Sequence, residues 1–223
     1  MENLDLFVLV KSCDRYRLPY DFYISRYPVV INEKEEPEIG RGEEALLYRT
    51  TWESAVRFCN QLSTKNNLAL TYGEESDDFM ENVVSAETLL TQPSYRLPTA
   101  EEWEFAAHGW SGAKTGDYFP LQKEQFKIPF LDYPTTEEQQ RFFEHGYSTM
   151  DALTVNPIGI YGLLAYGREW CAPVQNWRNY MGQGVKWEEY YTNYNNDIGY
   201  QTTTFNRQND ETLPFRIVLP CPR

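Results

Sequence analysis

The sequence predicts an α+β fold in which two amphipathic helices pack against short β-strands joined by irregular segments. Three observations support this class. Two stretches carry helix-capping residues followed by apolar residues at helical spacing, short apolar runs are typical of strands, and the aromatic share is high at 16%. Large aromatic rings cover irregular backbone while their polar atoms bond to it. The 223 residues can bury a sizeable core, and we expect a single domain over residues 1–223.

The strand predictions begin at the amino terminus. The apolar run LDLFVLV, residues 4–10, is too short to cross a membrane and lacks the features of a secretory signal, so we expect a first strand there. Residues 22–30, FYISRYPVV, alternate apolar and polar positions until Pro28, which predicts an edge strand. The Glu-rich residues 31–47 predict a solvated loop. The apolar residues 213–220, LPFRIVLP, predict a last strand that could pair with the first.

The first predicted helix covers residues 50–64, TTWESAVRFCNQLST. Thr50 and Glu53 have the spacing of a capping box, in which a hydroxyl and a carboxylate satisfy free N–H groups of the first turn. We expect Cys59 to be a small buried core residue rather than a nucleophile. Its position belongs to an apolar series that shares one face of the helix: Trp52, Ala55, Val56 and Cys59.

The second predicted helix begins within residues 95–110, YRLPTAEEWEFAAHGW. Pro98 disfavours helical backbone at the residue before it, and Thr99 is followed by Glu102 at capping-box spacing. Acidic residues in a first turn are favoured by the helix dipole, and so is His108 near the helix end. We therefore interpret Glu102 as stabilising the helix rather than as a catalytic acid. The apolar face of this helix is Trp103, Ala106, Ala107 and Trp110.

The net charge and the cysteine content limit which partners and which cellular location we expect. The net charge of −13 repels phosphate backbones and anionic lipids, so we expect no nucleic-acid or membrane partner. The four cysteines, at positions 13, 59, 171 and 221, form no CxxC pair and no metal-ligand spacing. Reduced thiols and a cytoplasmic location are therefore expected.

Five blocks of the chain, in order, resemble the formylglycine-generating enzyme family, also called the sulfatase-modifying factor domain. The resemblance spans residues 4–219, and its most specific block is RLPTAEEWEFAA. It implies a single C-type-lectin-like domain with two main helices, small antiparallel sheets and little other regular structure. The blocks are FYISRYPVV, TWESAVRFCNQLS, YRLPTAEEWEFAAHG, VNPIGIYGLLAYGREWC and PFRIVLP.

The residues that the family uses for copper are missing here. The resemblance implies two cysteines that hold copper(I) near the carboxyl end, because soft thiolates suit this ion. The corresponding residues 185–211 contain no cysteine, so we expect no cofactor and no catalytic residue. The alternative is an unusual oxygen- and metal-dependent enzyme that uses Cys171, Cys221 or His145.

A second departure weakens the expectation of calcium. Gly162 and Tyr166 stand where the family pattern has Asp and Asn, whereas Asn156, Glu169 and Trp170 match the pattern. Calcium requires hard oxygen ligands, so calcium remains only an alternative to no metal. Iron-using relatives are disfavoured too, because they resemble this domain joined to a His-rich helical domain that this sequence lacks.

The carboxyl-terminal residues 175–210 carry the candidate binding site. Rigid aromatic rings interleaved with amides are typical of surfaces that bind varied ligands, such as those of the variable proteins of diversity-generating retroelements. We expect a non-catalytic module that binds a protein or a small molecule. Two other roles stay open, a cap over the core and a homo-oligomer interface. The candidate ligand-binding residues are Trp177, Tyr180, Trp187, Tyr190, Tyr191, Asn193, Tyr194, Asn195 and Asn206.

Overall fold

A computed structural model describes the fold over most of the amino-terminal half and over separate segments beyond it. The described residues are 4–12, 20–40, 46–73, 84–85, 92–107, 155–156, 158–161, 168–172, 174–175, 189–195, 199–204 and 212–221. Within them the chain is mixed α and β with small antiparallel sheets, which confirms the coarse part of the predicted class. None of the helices in these ranges has the length and apolar character needed to cross a membrane.

The elements follow one another as short pieces. A 3-10 helix, Leu4–Leu6, is followed by β1 (Phe7–Val10), β2 (Phe22–Ser25), β3 (Val29–Ile31), β4 (Pro37–Ile39), β5 (Leu46–Leu47), α1 (Trp52–Lys65), β6 (Val84–Ser85), α2 (Ala100–Ala107), β7 (Arg168–Trp170), β8 (Val174–Gln175), β9 (Glu189–Asn195), β10 (Gly199–Thr204) and β11 (Val218–Pro220). Three sheets of three strands have the orders β1-β2-β11, β4-β3-β5 and β7-β9-β10, and β6 pairs with β8 in parallel.

The first sheet joins the two ends of the chain, but not as the sequence predicts. The last strand, β11, pairs with β2 rather than with β1, and Ile24 lies opposite both Val8 and Val218. The prediction of an edge strand at residues 22–30 is also wrong, since β2 is the central strand. Pro28 lies beyond β2, in the connection to β3, so it interrupts no hydrogen bond of this sheet.

The Glu-rich residues 31–47 are more regular than predicted. They contain β4 and β5, which pair on either side of β3, so the prediction of a plain loop is wrong. The turn between β3 and β4 is organised by Asn32, whose Oδ1 accepts hydrogen bonds from the backbone N–H groups of Lys34 and Glu36 at 2.9 and 3.0 Å. Asn side chains favour such turns because they replace a backbone acceptor.

Helix α1 begins one residue later than the sequence predicts. Thr51, in extended backbone, is the N-cap and its hydroxyl accepts the N–H of Ser54. Thr50 instead forms an antiparallel bridge with Leu213, which occupies its backbone in sheet-like pairing and leaves the capping position to Thr51. The apolar face of α1 is buried as predicted, and Cys59 is fully buried within it.

Helix α2 begins with the reciprocal capping bonds that the sequence predicts. Thr99 Oγ1 accepts the N–H of Glu102 at 3.0 Å, and Glu102 Oε2 accepts the N–H of Thr99 at 2.8 Å. Trp103 and Ala106 are fully buried beneath this helix. The buried core is continuous, and its indole N–H groups all donate across it, from Trp52 to Cys171 O, from Trp103 to Glu169 and from Trp170 to Thr50 O.

Candidate functional site

The predicted ligand-binding residues fall into two groups. Trp177, Tyr180, Trp187 and Asn206 lie outside the described residues. The other group lies within β9 and shares one strand: Tyr190, Tyr191, Asn193, Tyr194 and Asn195. The aromatic and amide residues that the sequence suggests are therefore carried, in this second group, by the central strand of a sheet.

The register of β9 separates its residues between the two faces of the sheet. Alternate residues of a strand lie on opposite faces, and residues directly opposite one another across antiparallel strands share a face. Asn193 is paired with Gln201 on one side and Arg168 on the other, which forms a polar row across three strands. Tyr194 is paired with Tyr200 on the opposite face. The register thus puts the positions of Arg168, Asn193 and Gln201 on one face of the sheet and those of Tyr194 and Tyr200 on the other.

The end of the β9–β10 hairpin extends past β7. The pairing of β7 with β9 begins at Arg168 and Asn193, so Tyr194 and Asn195 have no β7 residue opposite them. They pair with Tyr200 and Gly199 of β10. At the other end the pairing register shifts between Thr203 and Thr204, which leaves Tyr190 as the additional residue of a bulge. The projecting end of the hairpin is the part of the predicted site least covered by its own sheet.

Strand β7, which supports β9, is anchored by a buried ion pair. Both carboxylate oxygens of Glu169 accept bonds from Arg216, at 2.6 Å from Nε and 2.6 Å from Nη2. Trp103 Nε1 donates to the same carboxylate at 2.7 Å. The side chains of the pair are at most 2% exposed, and breaking such a pair on one side leaves an uncompensated buried charge. These bonds therefore tie β7 to α2 and to the segment before β11.

A second buried ion pair lies at the start of α2. Arg96 donates to both oxygens of Glu102 at 2.7 Å, and Tyr20 Oη donates to Glu102 Oε1 at 2.7 Å. Burial opposes the charge on Arg96, but the adjacent carboxylate of Glu102 outweighs it and raises the pKa of the guanidinium. Glu102 is fully buried, so it is more than the dipole-favoured surface acid that the sequence suggests. The bonds of Glu102 stabilise the fold, and they explain its burial without a role in ligand binding.

Asn156 organises the loop before the candidate site. Its Nδ2 donates to Ala106 O at 2.7 Å, and its Oδ1 accepts the N–H of Ile160 at 2.9 Å. The loop then passes Gly159, whose φ of 89° suits glycine, and Arg26 donates to its carbonyl at 3.2 Å. The Asn156 amide is thus used by backbone partners. Over the part of the chain that the structure describes, no group of three or more His, Cys, Asp or Glu side chains could hold a metal. Gly162 and Tyr166, which bear on the calcium alternative, lie outside the described residues.

Three of the four thiols lie among the described residues. Cys59 is buried in α1, and burial raises the pKa of its thiol, which disfavours the thiolate that binds soft metals. Cys171 is fully buried after β7, with its Sγ 3.9 Å from Glu169 O. Cys221 follows β11, and burial together with the charge of Asp21 raises the pKa of its thiol. His145 and Cys13 lie outside the described residues.

Comparison with known proteins shows the family to which the chain belongs. The family described as the sulfatase-modifying factor enzyme 1-like domain matches residues 46–219, so the chain belongs to this family, as its sequence blocks predict. A chaperone protein LppX of Paenibacillus barcinonensis is 28% identical over 197 residues, which cover 74% of this chain and 69% of that protein. The solved structure of Treponema denticola variable protein 1 is 18% identical, covers 89% of this chain and 84% of its own, and superposes with a TM-score of 0.43.

The sequence identifies Glu102, Trp103 and Glu169 but not the contacts that they make with one another and with the two buried arginines. Arg216 and Glu169 are 47 residues apart, and Trp103 is 66 residues from Glu169, so no local spacing signals their contact. Arg96 and Glu102 are only six residues apart. The signal for that pair was an arginine in an otherwise apolar stretch, which suggests a buried charge in need of a carboxylate.

Proposed function

We propose that this protein is a non-catalytic, lectin-like binding module that recognises its partner through residues 175–210. The observation that supports this most is the replacement of the family's thiol-bearing segment by one rich in tyrosine and asparagine, whose described part is the β9–β10 hairpin. The ion pair of Glu169 and Arg216 behind β7 supplies the rigid base that a binding surface needs. In this proposal the C-type-lectin-like fold serves as a scaffold for the hairpin.

A protein partner is favoured over a small molecule. The relative from Paenibacillus barcinonensis is named a chaperone protein, and it is similar over 74% of this chain. We take that name as support for recognition of another polypeptide. The net charge of −13 favours a basic or neutral partner. A homo-oligomer built through the same face is the other form that this proposal allows.

The proposal is tested by differential capture. Trp187→Ala and Tyr191→Ala are each expected to abolish retention of a partner that the wild-type protein captures, because truncating an aromatic hot spot costs about 2 kcal/mol or more, a thirtyfold loss of affinity. Capture is measured on immobilised protein at equal density, and circular dichroism checks that each variant is folded.

Leu9→Ala is the matched control. Leu9 is an apolar side chain, 39% exposed, on β1, and it lies outside the proposed face. Its truncation is expected to leave capture unchanged. Retention of the same partner by both aromatic variants would contradict the proposal.

A finer proposal concerns variation of the binding face. The tyrosine and asparagine content of residues 175–210 is that of a variable protein of a diversity-generating retroelement. Sequencing this gene across isolates of one strain tests it. Substitutions concentrated at the asparagine codons of residues 175–210 are expected, and an even spread along the gene would contradict it.

Membership of the family supports a second candidate function, an oxygen- and metal-dependent modifying enzyme. This candidate requires metal held by an unusual set such as Cys171 and Cys221. It predicts tight, stoichiometric copper or iron and loss of turnover on a cysteine-containing peptide in Cys171→Ser. Failure to load the protein with either copper or iron would contradict this second candidate function.

We also propose that residues 1–223 form one domain and that the protein works in the cytoplasm. One domain is supported by contacts between distant segments, such as the bridge of Arg96 with Val218 and the pairing of β2 with β11. The cytoplasmic location rests on the cysteine content. Limited proteolysis tests the first proposal, and a single resistant fragment beginning before residue 10 and ending after residue 218 is expected.

A further inference from the structure

A cleft of about 420 Å³ lies between β4 and α1, and it shares no residue with the proposed binding face. Its volume is within the range of small ligand sites. Its lining is amphipathic. The apolar part is Leu6, Pro37, Ile39, Phe58 and Leu62, and the polar part is Glu36, Glu38, Gln61 and Lys65.

The apolar part of the cleft is anchored to the core. Phe58 is 8% exposed and stacks edge-on against Phe215, with ring centroids 5.7 Å apart. Leu6 is also buried, whereas Leu62 and Ile39 are partly buried and pack against the core. The floor is therefore part of the folded structure and is present before any ligand arrives.

The acidic wall of the cleft is held by the turn between β3 and β4. Asn32 Oδ1 accepts the backbone N–H of Glu36 at 3.0 Å, and Asn32 Nδ2 donates to Glu38 Oε2 at 3.4 Å. The same turn places Glu35 at a φ of 61°, a left-handed conformation that fixes the direction of the chain before Glu36. The positions of Glu36 and Glu38 at the wall are thus set by the turn.

The charge of this wall is not balanced within the described structure. Residues 32–38 contain four glutamates and one lysine. Among the ion pairs of the described residues none involves Glu36, Glu38 or Lys65. Lys65, on α1, supplies one positive charge to the lining, so the cleft remains acidic. A cation placed there would gain contacts that the ion pairs of the described residues do not supply.

The edge of β4 disfavours recognition by strand addition. In the described sheet β4 is an edge strand, but Pro37 has no N–H to donate to a further strand. A ligand in this cleft would therefore be held through the ligand's side chains rather than through a continuous ladder of backbone hydrogen bonds.

We propose that this cleft is a second binding site, which takes a peptide segment that carries a lysine or arginine beside an aliphatic side chain. The aliphatic group would pack on Phe58 and Leu62, and the cation would lie between Glu36 and Glu38. Long basic side chains suit such a site because their methylene stems cover apolar surface while the charged end reaches carboxylates. This site goes beyond the proposed function and does not depend on it.

Fluorescence anisotropy with defined peptides tests the proposal. The probe is an end-capped, fluorescein-labelled hexapeptide of alternating lysine and leucine, titrated with the full-length protein. Saturable binding is expected. The same peptide with glutamate in place of lysine, or with glycine in place of leucine, is expected to bind about tenfold more weakly, because each lacks one of the two kinds of contact.

Three variants localise the binding. Glu36→Gln and Glu38→Gln are each expected to weaken the lysine–leucine probe about threefold, which is typical of one partly exposed charge pair. Gln61→Trp is expected to abolish binding, because Gln61 is exposed at the cleft and a large ring there fills the space. The melting temperature of each variant should equal that of the wild type.

Two controls separate this site from other surfaces. Glu53→Gln removes the same charge from the first turn of α1, outside the cleft lining, and should leave binding unchanged. Tyr191→Ala should also leave it unchanged, so failure of the hairpin proposal and failure of this one are distinguishable. Absence of saturable binding, equal affinity in Gln61→Trp, or equal affinity of the glutamate–leucine peptide would overturn the proposal.

Discussion

At the scale of single residues, the fold depends on a few polar side chains buried in an apolar core. Glu169 and Glu102 each accept a bidentate arginine. Glu169 accepts one further donor, Trp103, and Glu102 accepts two, Tyr20 and the backbone N–H of Thr99. Each carboxylate therefore has its charge and its oxygens satisfied. Such networks are stable when complete and costly when one member is removed.

Glu169→Ala is expected to lower the free energy of unfolding by about 3–5 kcal/mol, because Arg216 would keep a buried charge without its partner. Urea denaturation followed by tryptophan fluorescence measures this loss. The matched control is Lys11→Ala, which removes an ion pair whose lysine is 54% exposed. The control should change stability little, and a similar loss in both variants would contradict the assignment of Glu169 as an anchor.

Asp21 gives a pH dependence with a definite sign. Partial burial opposes its ionisation, but hydrogen bonds from Lys11 and Ser12 outweigh burial and hold its pKa below the ordinary value of 3.8. A group with a lowered folded pKa contributes stability above its unfolded pKa and loses it as the pH falls through the folded value.

Asp21→Asn should therefore lower stability at pH 7 by less than about 1 kcal/mol, and the difference from the wild type should shrink as the pH falls below 3.8 toward the lower folded pKa. Denaturation midpoints between pH 3 and pH 7 measure it. A difference that grew on acidification would show that the sign is wrong.

At the scale of elements, the sequence predicts helix ends better than strand partners. The capping pair of Thr99 and Glu102 is found correctly because its physics is local, with both members within one turn. The place of β2 between β1 and β11 is missed because it depends on residues nearly two hundred positions away, as in the bond from Ser25 N to Ile217 O. Local propensity carries no information about such pairing.

The start of α1 shows the same limit within one residue. The spacing of Thr50 and Glu53 suggests a capping box, but the bridge of Thr50 with Leu213 makes Thr51 the cap. Thr51→Val is expected to cost about 1 kcal/mol of stability, since it removes the capping oxygen and keeps the shape. Thr50→Val is the matched control and should be close to neutral. Thermal melts of the two variants distinguish the two caps. A larger loss of stability in Thr50→Val than in Thr51→Val would contradict this structure.

The candidate site can be predicted only in part from the sequence, because it too depends on strand pairing. The composition of residues 175–210 identifies aromatic and amide positions, and the register of β9 shows that they divide between two faces. Composition cannot show this division, because it depends on where β7 and β10 pair. The acidic cleft beside β4 is missed entirely, since residues 31–47 read as a solvated loop until their pairing with β3 is known.

At the scale of the whole molecule, family membership does not settle the chemistry. The chain belongs to the sulfatase-modifying factor enzyme 1-like family, yet it has no cysteine between Cys171 and Cys221. Fold alone does not carry function, which resides in the side chains placed on it. We propose that buried ion pairs hold the family scaffold together while its carboxyl-terminal segment serves binding instead of copper chemistry.

The most direct test of this account is the copper content and thiol reactivity of the purified protein after incubation with copper(I). The account predicts no stoichiometric copper and no thiol protected by it, with all four cysteines reacting with a thiol reagent in denaturant. Cys59 should stay unreactive in the folded protein with or without copper, because burial raises the pKa of its thiol. One tightly held copper per chain with two thiols protected would contradict the account and restore an oxidase.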